Sequence, residues 1–228
     1  MKTLSRWLKW SLLAIAGLFF LWQVWLLAWV LLWSWVNPGE TRFMEIRLAE
    51  LRQKNPQAQL KQQWVPYERI SPHLKRAIIA AEDAKFVDHE GFDWEGMQKA
   101  LEKNQKKGRF VAGGSTISQQ LAKNLFLSSK RTPWRKLEEA LITVMLEAVM
   151  DKRRIFEIYL NVIEWGDGVF GAEAAAEGVE PGGQGRGHGP IIPPPGAFAS
   201  PRGQRGRPRR PVVSSRRVYL RGMLIAAV

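Results

Sequence analysis

The sequence predicts a mainly α-helical protein: one membrane-spanning helix at the N-terminus, a helical domain after it, and a tail of different character. Three observations carry this. An almost unbroken apolar run covers Trp10 to Val36. Between Ser71 and Asn161, apolar residues recur at helical spacing, bounded by capping residues and glycine stops. After Ala176 the composition turns abruptly to glycine, proline and arginine.

The apolar run is interrupted only by Ser11, Gly17, Gln23 and Ser34. It exceeds the roughly 20 residues that a helix needs to cross a bilayer. It is too long for the apolar core of a signal peptide and lacks a small-residue cleavage site. Lys2, Arg6 and Lys9 precede it, and Glu40 is the first charge beyond it. The excess of positive charge on the N-terminal side places residues 1–9 in the cytoplasm, 10–36 in the membrane and the rest outside. Seven of the 11 tryptophans fall between Trp7 and Trp35, and those near its ends suit interfacial anchoring. The absence of cysteine excludes disulfides and thiolate chemistry. A formal charge of +13 points to an acidic partner: nucleic acid, an anionic membrane or a phosphorylated substrate.

Residues 37–70 read as a juxtamembrane connector. Thr41 to Leu60, with Phe43, Ile46, Leu48 and Leu51, suggests a helix broken at Asn55-Pro56, and Lys61 to Pro66 an extended link. Ser71-Pro72 is an N-cap with proline at the first helical position. Leu74, Ala77, Ile78 and Ala81 form the expected buried stripe of the helix that follows. Glu82 lies four residues after Ile78 and so leans towards the buried side. At a helix C-terminus, dipole and desolvation both oppose its charge, which is how a general base is prepared. Asp93 to Lys107 reads as a further helix stopped by Gly108. Thr116 and Gln119 form a capping box that opens another. On it Thr116, Gln120 and Lys123 make a polar stripe, beside the apolar stripe of Ile117, Leu121 and Leu125. The preceding Gly113-Gly114, with Lys123 on the polar stripe, suits an anion such as phosphate. Arg135 opens the next helix, with Leu137, Leu141, Val144, Met145 and Ala148 as its expected buried face. Lys152 to Asn161 is one more amphipathic helix, Glu164 to Gly171 a glycine-punctuated loop, and Ala172 to Ala176 an alanine-rich run. Taken singly, these stretches also allow plainer readings: a surface turn at Glu82, a simple capped helix at Thr116, a surface ion pair between Arg135 and Glu139.

Together they resemble the monofunctional biosynthetic peptidoglycan transglycosylases, which share a glycosyltransferase domain with the class A penicillin-binding proteins. The resemblance rests on ordered motifs: Glu82-Asp83-x-x-Phe86-x-x-His89-x-Gly91, then Gly113-Gly114-Ser115-Thr116-Ile117-x-Gln119-Gln120-Leu121-x-Lys123-Asn124, then Arg135-Lys136-x-x-Glu139. Lys152-x-x-Ile155-x-x-x-Tyr159-Leu160-Asn161 and the Gly166 to Gly171 loop complete them. The resemblance implies a lysozyme-like, all-helical domain over 71–176, outside the bacterial inner membrane, that polymerises lipid II into β-1,4-linked glycan strands. It implies Glu82 as general base and Glu139 as second carboxylate. Lys123, Arg135 and Lys136 would neutralise the departing pyrophosphate, and Asp83, Phe86, His89, Thr116, Gln120 and Asn124 would shape the substrate cleft. Mg2+ or another divalent cation would assist at the pyrophosphate, with no organic cofactor. The implied partners are lipid II, the growing strand, the inner membrane and the division or elongation proteins, not nucleic acid. The remaining length leaves no room for a transpeptidase domain, hence the monofunctional type.

Past Ala176 the pattern fails. Residues 177–228 hold 10 Gly, 8 Pro, 9 Arg and no Lys, and carry about +7 of the total charge. They read as atypical and disordered. Three origins are open: a natural basic linker, a nucleic-acid-binding arm, or a shifted reading frame in a GC-rich gene. The composition favours the last, which would leave the domain incomplete and the chain an inactive family member. A second enzymatic alternative is a lytic transglycosylase or muramidase-like hydrolase, since Glu82 and Glu139 in a lysozyme-like cleft suit cleavage of the same bond.

Overall fold

The computed structural model describes residues 2–177 other than Phe110, Ser129 and Arg131; the tail lies outside the described residues. Helix α1 (Lys2–Trp35) is one continuous helix, and its Arg6–Trp35 portion is long and apolar enough to cross a membrane. It is a candidate anchor whose C-terminal half also belongs to the domain. Leu26, Val30 and Trp33 are buried there. Phe19 meets the Trp134 ring at 6.0 Å, and Trp33 meets Phe126 at 4.9 Å. Arg154 closes the end of the helix by donating to the carbonyls of Trp33 and Val36 and to Asn37 Oδ1. A guanidinium there satisfies carbonyls that the helix cannot and complements its dipole.

The expected connector is woven into the domain. Helix α2 (Arg42–Lys54), capped by Thr41, buries Phe43 and Met44 and packs on the central helix α5 (Ile117–Phe126). Strand β1 (Lys61–Gln62) pairs parallel with β3 (Val169–Phe170). Val65 donates to Asn161 Oδ1 at 2.8 Å, and its carbonyl accepts from Asn161 Nδ2 at 2.9 Å. These bonds join residues 96 positions apart, which local sequence patterns do not reveal.

Helix α3 (Pro72–Glu82) is capped by Ser71 as expected, and α4 (Trp94–Lys107) runs from Asp93 to a left-handed Gly108. The α3 stripe is narrower than expected: Ile78 is buried, Leu74 and Ala77 are half-buried and Ala81 is exposed. Helix α5 has the expected capping box, but it is buried all round, from Ile117 to Leu125, between α2, α6 (Pro133–Val149) and α7 (Lys152–Val162). Its polar stripe is therefore an interior one. The buried face of α6 is Glu139, Ile142, Thr143 and Leu146; Leu137, Val144 and Ala148 are exposed. The expected face had two apolar neighbours to choose between, because α6 also lies along α1. The glycine-punctuated loop is a hairpin: β2 (Glu164–Gly166) pairs antiparallel with β3, and α8 (Ala172–Glu177) follows. The sheet order is β1-β3-β2.

Candidate active site

Glu82 is the last residue of α3 and is half-buried. Gln120 Nε2, from α5, donates to Glu82 Oε2 at 3.1 Å, and the Tyr159 hydroxyl, from α7, donates to Gln120 Oε1 at 3.1 Å. Burial pushes the Glu82 carboxyl above its ordinary range; the Gln120 hydrogen bond opposes the shift and the neighbouring Asp83 charge adds to it.

The acidic stretch after Glu82 is pinned to the start of α5. Asp83 is buried and accepts from the Ile117 amide at 3.0 Å and from His89 Nε2 at 3.0 Å. His89 Nδ1 accepts from the Gly91 amide at 3.1 Å, which places the ring proton on Nε2, facing Asp83. Gly91 adopts φ +87°, and a Cβ there would stand 2.7 Å from Thr143 Cγ2. Its carbonyl accepts from Thr116 Oγ1 at 2.6 Å. Phe86 is in the core, its ring 5.5 Å from that of Phe156.

At Gln120 opens a small recess lined by Ser115, Gln119, Gln120, Lys123, Arg135, Lys136 and Glu139. Arg135 Nη1 donates to Glu139 Oε2 at 2.7 Å, and Lys136 Nζ donates to Glu139 Oε1. The Glu139 side chain is only 4% exposed and that of Arg135 13%, so this is a buried cluster rather than a surface ion pair. Arg135 Nε and Asn124 Oδ1 are buried with no hydrogen-bond partner among the described residues. Held by Glu139, the Arg135 guanidinium presents a fixed positive charge at the edge of the recess, which suits an anionic ligand.

The fold thus brings Glu82, Gln120, Lys123, Arg135, Lys136 and Glu139 to one place. Asp83, Phe86, His89, Thr116 and Asn124 do not line the recess; they are packed behind it and hold its wall. Ser115, Gln119 and Tyr159 were not among the expected site residues. Ser115 precedes the capping box and Gln119 is its second member, and that place at the start of α5 is the available signal. Among the described residues, no group of three or more His, Cys, Asp or Glu comes together to hold a metal ion.

A desolvated glutamate beside a recess lined by Lys123, Arg135 and Lys136 pairs a potential proton acceptor with a binding place for an anion. The chain belongs to the transglycosylase family: the family model described as Transglycosylase matches residues 48–179. It is 80% identical over 176 residues to the biosynthetic peptidoglycan transglycosylase of Dechloromonas aromatica, covering 77% of this chain and 76% of that protein. The proteins of the same name from Laribacter hongkongensis and Chromobacterium violaceum are 68% and 66% identical, over 171 and 173 residues, covering 75% and 76% of each chain.

Proposed function

We propose that this protein is a peptidoglycan glycosyltransferase that polymerises lipid II into β-1,4-linked glycan strands. The observation that carries the reading is the juxtaposition of Glu82, poised by burial, with the recess of Lys123, Arg135 and Lys136. In this reading Glu82 takes the proton of the 4-hydroxyl of the incoming lipid II sugar. The freed oxygen attacks the anomeric carbon of the growing chain's terminal muramyl unit. The bond to pyrophosphate breaks with inversion, and undecaprenyl pyrophosphate departs. A sugar hydroxyl needs such a base within hydrogen-bonding reach. Preorganised cations stabilise the charge that develops on the leaving group. Glu139 holds Arg135 and Lys136 in place.

Glu139 is engaged by Arg135 and Lys136, so a divalent cation assisting here would be held mainly by the pyrophosphate oxygens of the substrate itself. The chain's own contribution to neutralising the leaving group is Lys123, Arg135 and Lys136. The hydrolase alternative has less support, because a cationic recess serves a pyrophosphate donor and has no role in cutting an uncharged glycosidic bond.

In this reading α1 anchors the protein in the inner membrane with residues 1–9 in the cytoplasm and the domain outside. Trp134 and Glu138 of α6 touch α1, the latter accepting from Trp22 Nε1 at 2.7 Å, and Arg135 and Lys136 stand between them in sequence. Those contacts fall at Phe19 and Trp22, inside the apolar span, which supports a donor site beside the anchor, where a polyprenyl substrate is confined. About a quarter of this chain and of each relative falls outside the matched regions, which supports a shifted reading frame for 177–228; sequencing the gene across codon 176 tests it.

The activity is tested by incubating the detergent-solubilised full chain with lipid II and, separately, with finished glycan strands. Strand growth with release of undecaprenyl pyrophosphate is expected. Cleavage of finished strands without polymerisation would overturn the assignment.

A further inference from the structure

We propose that Tyr159 is a positioning residue for the base: its buried hydroxyl fixes the Gln120 side-chain amide so that the N–H side faces Glu82. The inference deepens the reading of Glu82 as base and rests on it.

A glutamine side chain can present either its oxygen or its nitrogen to a neighbour, and the two ends act oppositely on a carboxyl group. The N–H end stabilises the carboxylate; the oxygen end can be satisfied only by the protonated acid. Gln120 sits between two groups, Glu82 at 3.1 Å from Nε2 and Tyr159 at 3.1 Å from Oε1. Which way the amide points therefore depends on whether Tyr159 donates. Tyr159 is fully buried, and burial, helped by the Glu82 and Asp83 charges, holds its hydroxyl protonated well above its ordinary range. Its proton is always present to be donated. The ring is held independently, stacked 6.2 Å from Phe156, so the hydroxyl can be removed without removing the packing. Three elements thus act in series: α7 orients a residue of α5, which orients the end of α3.

Two other charged groups of the site are engaged elsewhere: Asp83 is bound by His89 and the Ile117 amide, and Glu139 by Arg135 and Lys136.

The test uses the full chain in detergent, labelled with ¹³C-carboxyl glutamate, with Glu82→Gln identifying the Glu82 signal. In Tyr159→Phe the Glu82 titration should move up by about one pH unit, the scale of one lost hydrogen bond to a charged group. The acidic limb of kcat/KM should move with it, while KM for lipid II stays within about twofold. Gln120→Met should give a similar shift by itself, and adding Tyr159→Phe to it should shift Glu82 no further. An unchanged Glu82 titration in Tyr159→Phe overturns the proposal. If that variant does not fold, an unchanged titration in Gln120→Met does so. A shifted titration with an unshifted rate profile would uphold the positioning and instead remove Glu82 from the role of base.

Discussion

The site contains two glutamates, one at the end of α3 and one on α6, and their surroundings set them apart. Glu82 ends α3, faces a neutral amide and is pushed by burial above its ordinary range. Glu139 lies within the first two turns of α6, almost fully buried, with a cationic donor on each oxygen. A carboxylate given one neutral partner can exchange a proton with a substrate. A carboxylate clasped by Arg135 and Lys136 serves to hold those cations at the recess. Residue type and burial alone do not separate the two roles; the charge of the partner does.

This contrast can be broken experimentally, and the largest effect after loss of the base itself belongs to the cations. Lys123→Ala and Arg135→Ala should each lower lipid II turnover by roughly 10²-fold, the scale of a lost preorganised donor, with the helical circular dichroism signal retained. Loss of that signal without a separable catalytic defect would make them structural residues. A smaller effect on turnover is expected for Glu139→Gln. It leaves Arg135 buried without its anionic partner, so stability should fall by about 3 kcal/mol and turnover by roughly tenfold, measured by thermal unfolding and polymerisation rate.

The smallest effect sharpens the comparison by its sign. Because folding raises the Glu82 pKa, its contribution to stability is present in full below the ordinary glutamate range. That contribution is lost as pH rises through the raised value. Glu82→Gln removes this desolvated charge and should therefore modestly raise the melting temperature at pH 7, opposite to Glu139→Gln. The acidic limb of wild-type kcat/KM should likewise lie above the ordinary glutamate value. A drop in melting temperature for Glu82→Gln would place it with Glu139 as a structural anion.

Much of this site was legible in the sequence because its frame is built from local signals. Ser71, Asp93, Gly108 and the Thr116–Gln119 box all act within a turn of their own positions, and the bias on Glu82 follows from its place at a helix end near Ile78. What the sequence did not disclose depends on contacts between distant segments. Leu137 and Val144 are exposed although helical spacing puts them on the expected core face, because apolarity alone does not say which side of a helix meets the interior. Residues 37–70 read as a connector in the sequence because what binds them, for example the Asn161 side chain at Val65, comes from far along the chain. Tyr159 enters the sequence reading only as one position of a motif, and its hydroxyl's reach to Gln120 on another helix is what marks its role.

The most direct test is the lipid II polymerisation rate of the full-length Glu82→Gln protein, compared with wild type at equal concentrations of folded protein. The side chain keeps its size and its capacity to hydrogen-bond to Gln120, but it cannot accept the proton. A fall of roughly 10²-fold or more is expected, the usual cost of losing a general base, with the melting temperature preserved or raised. Glycan synthesis at near wild-type rate would contradict the account.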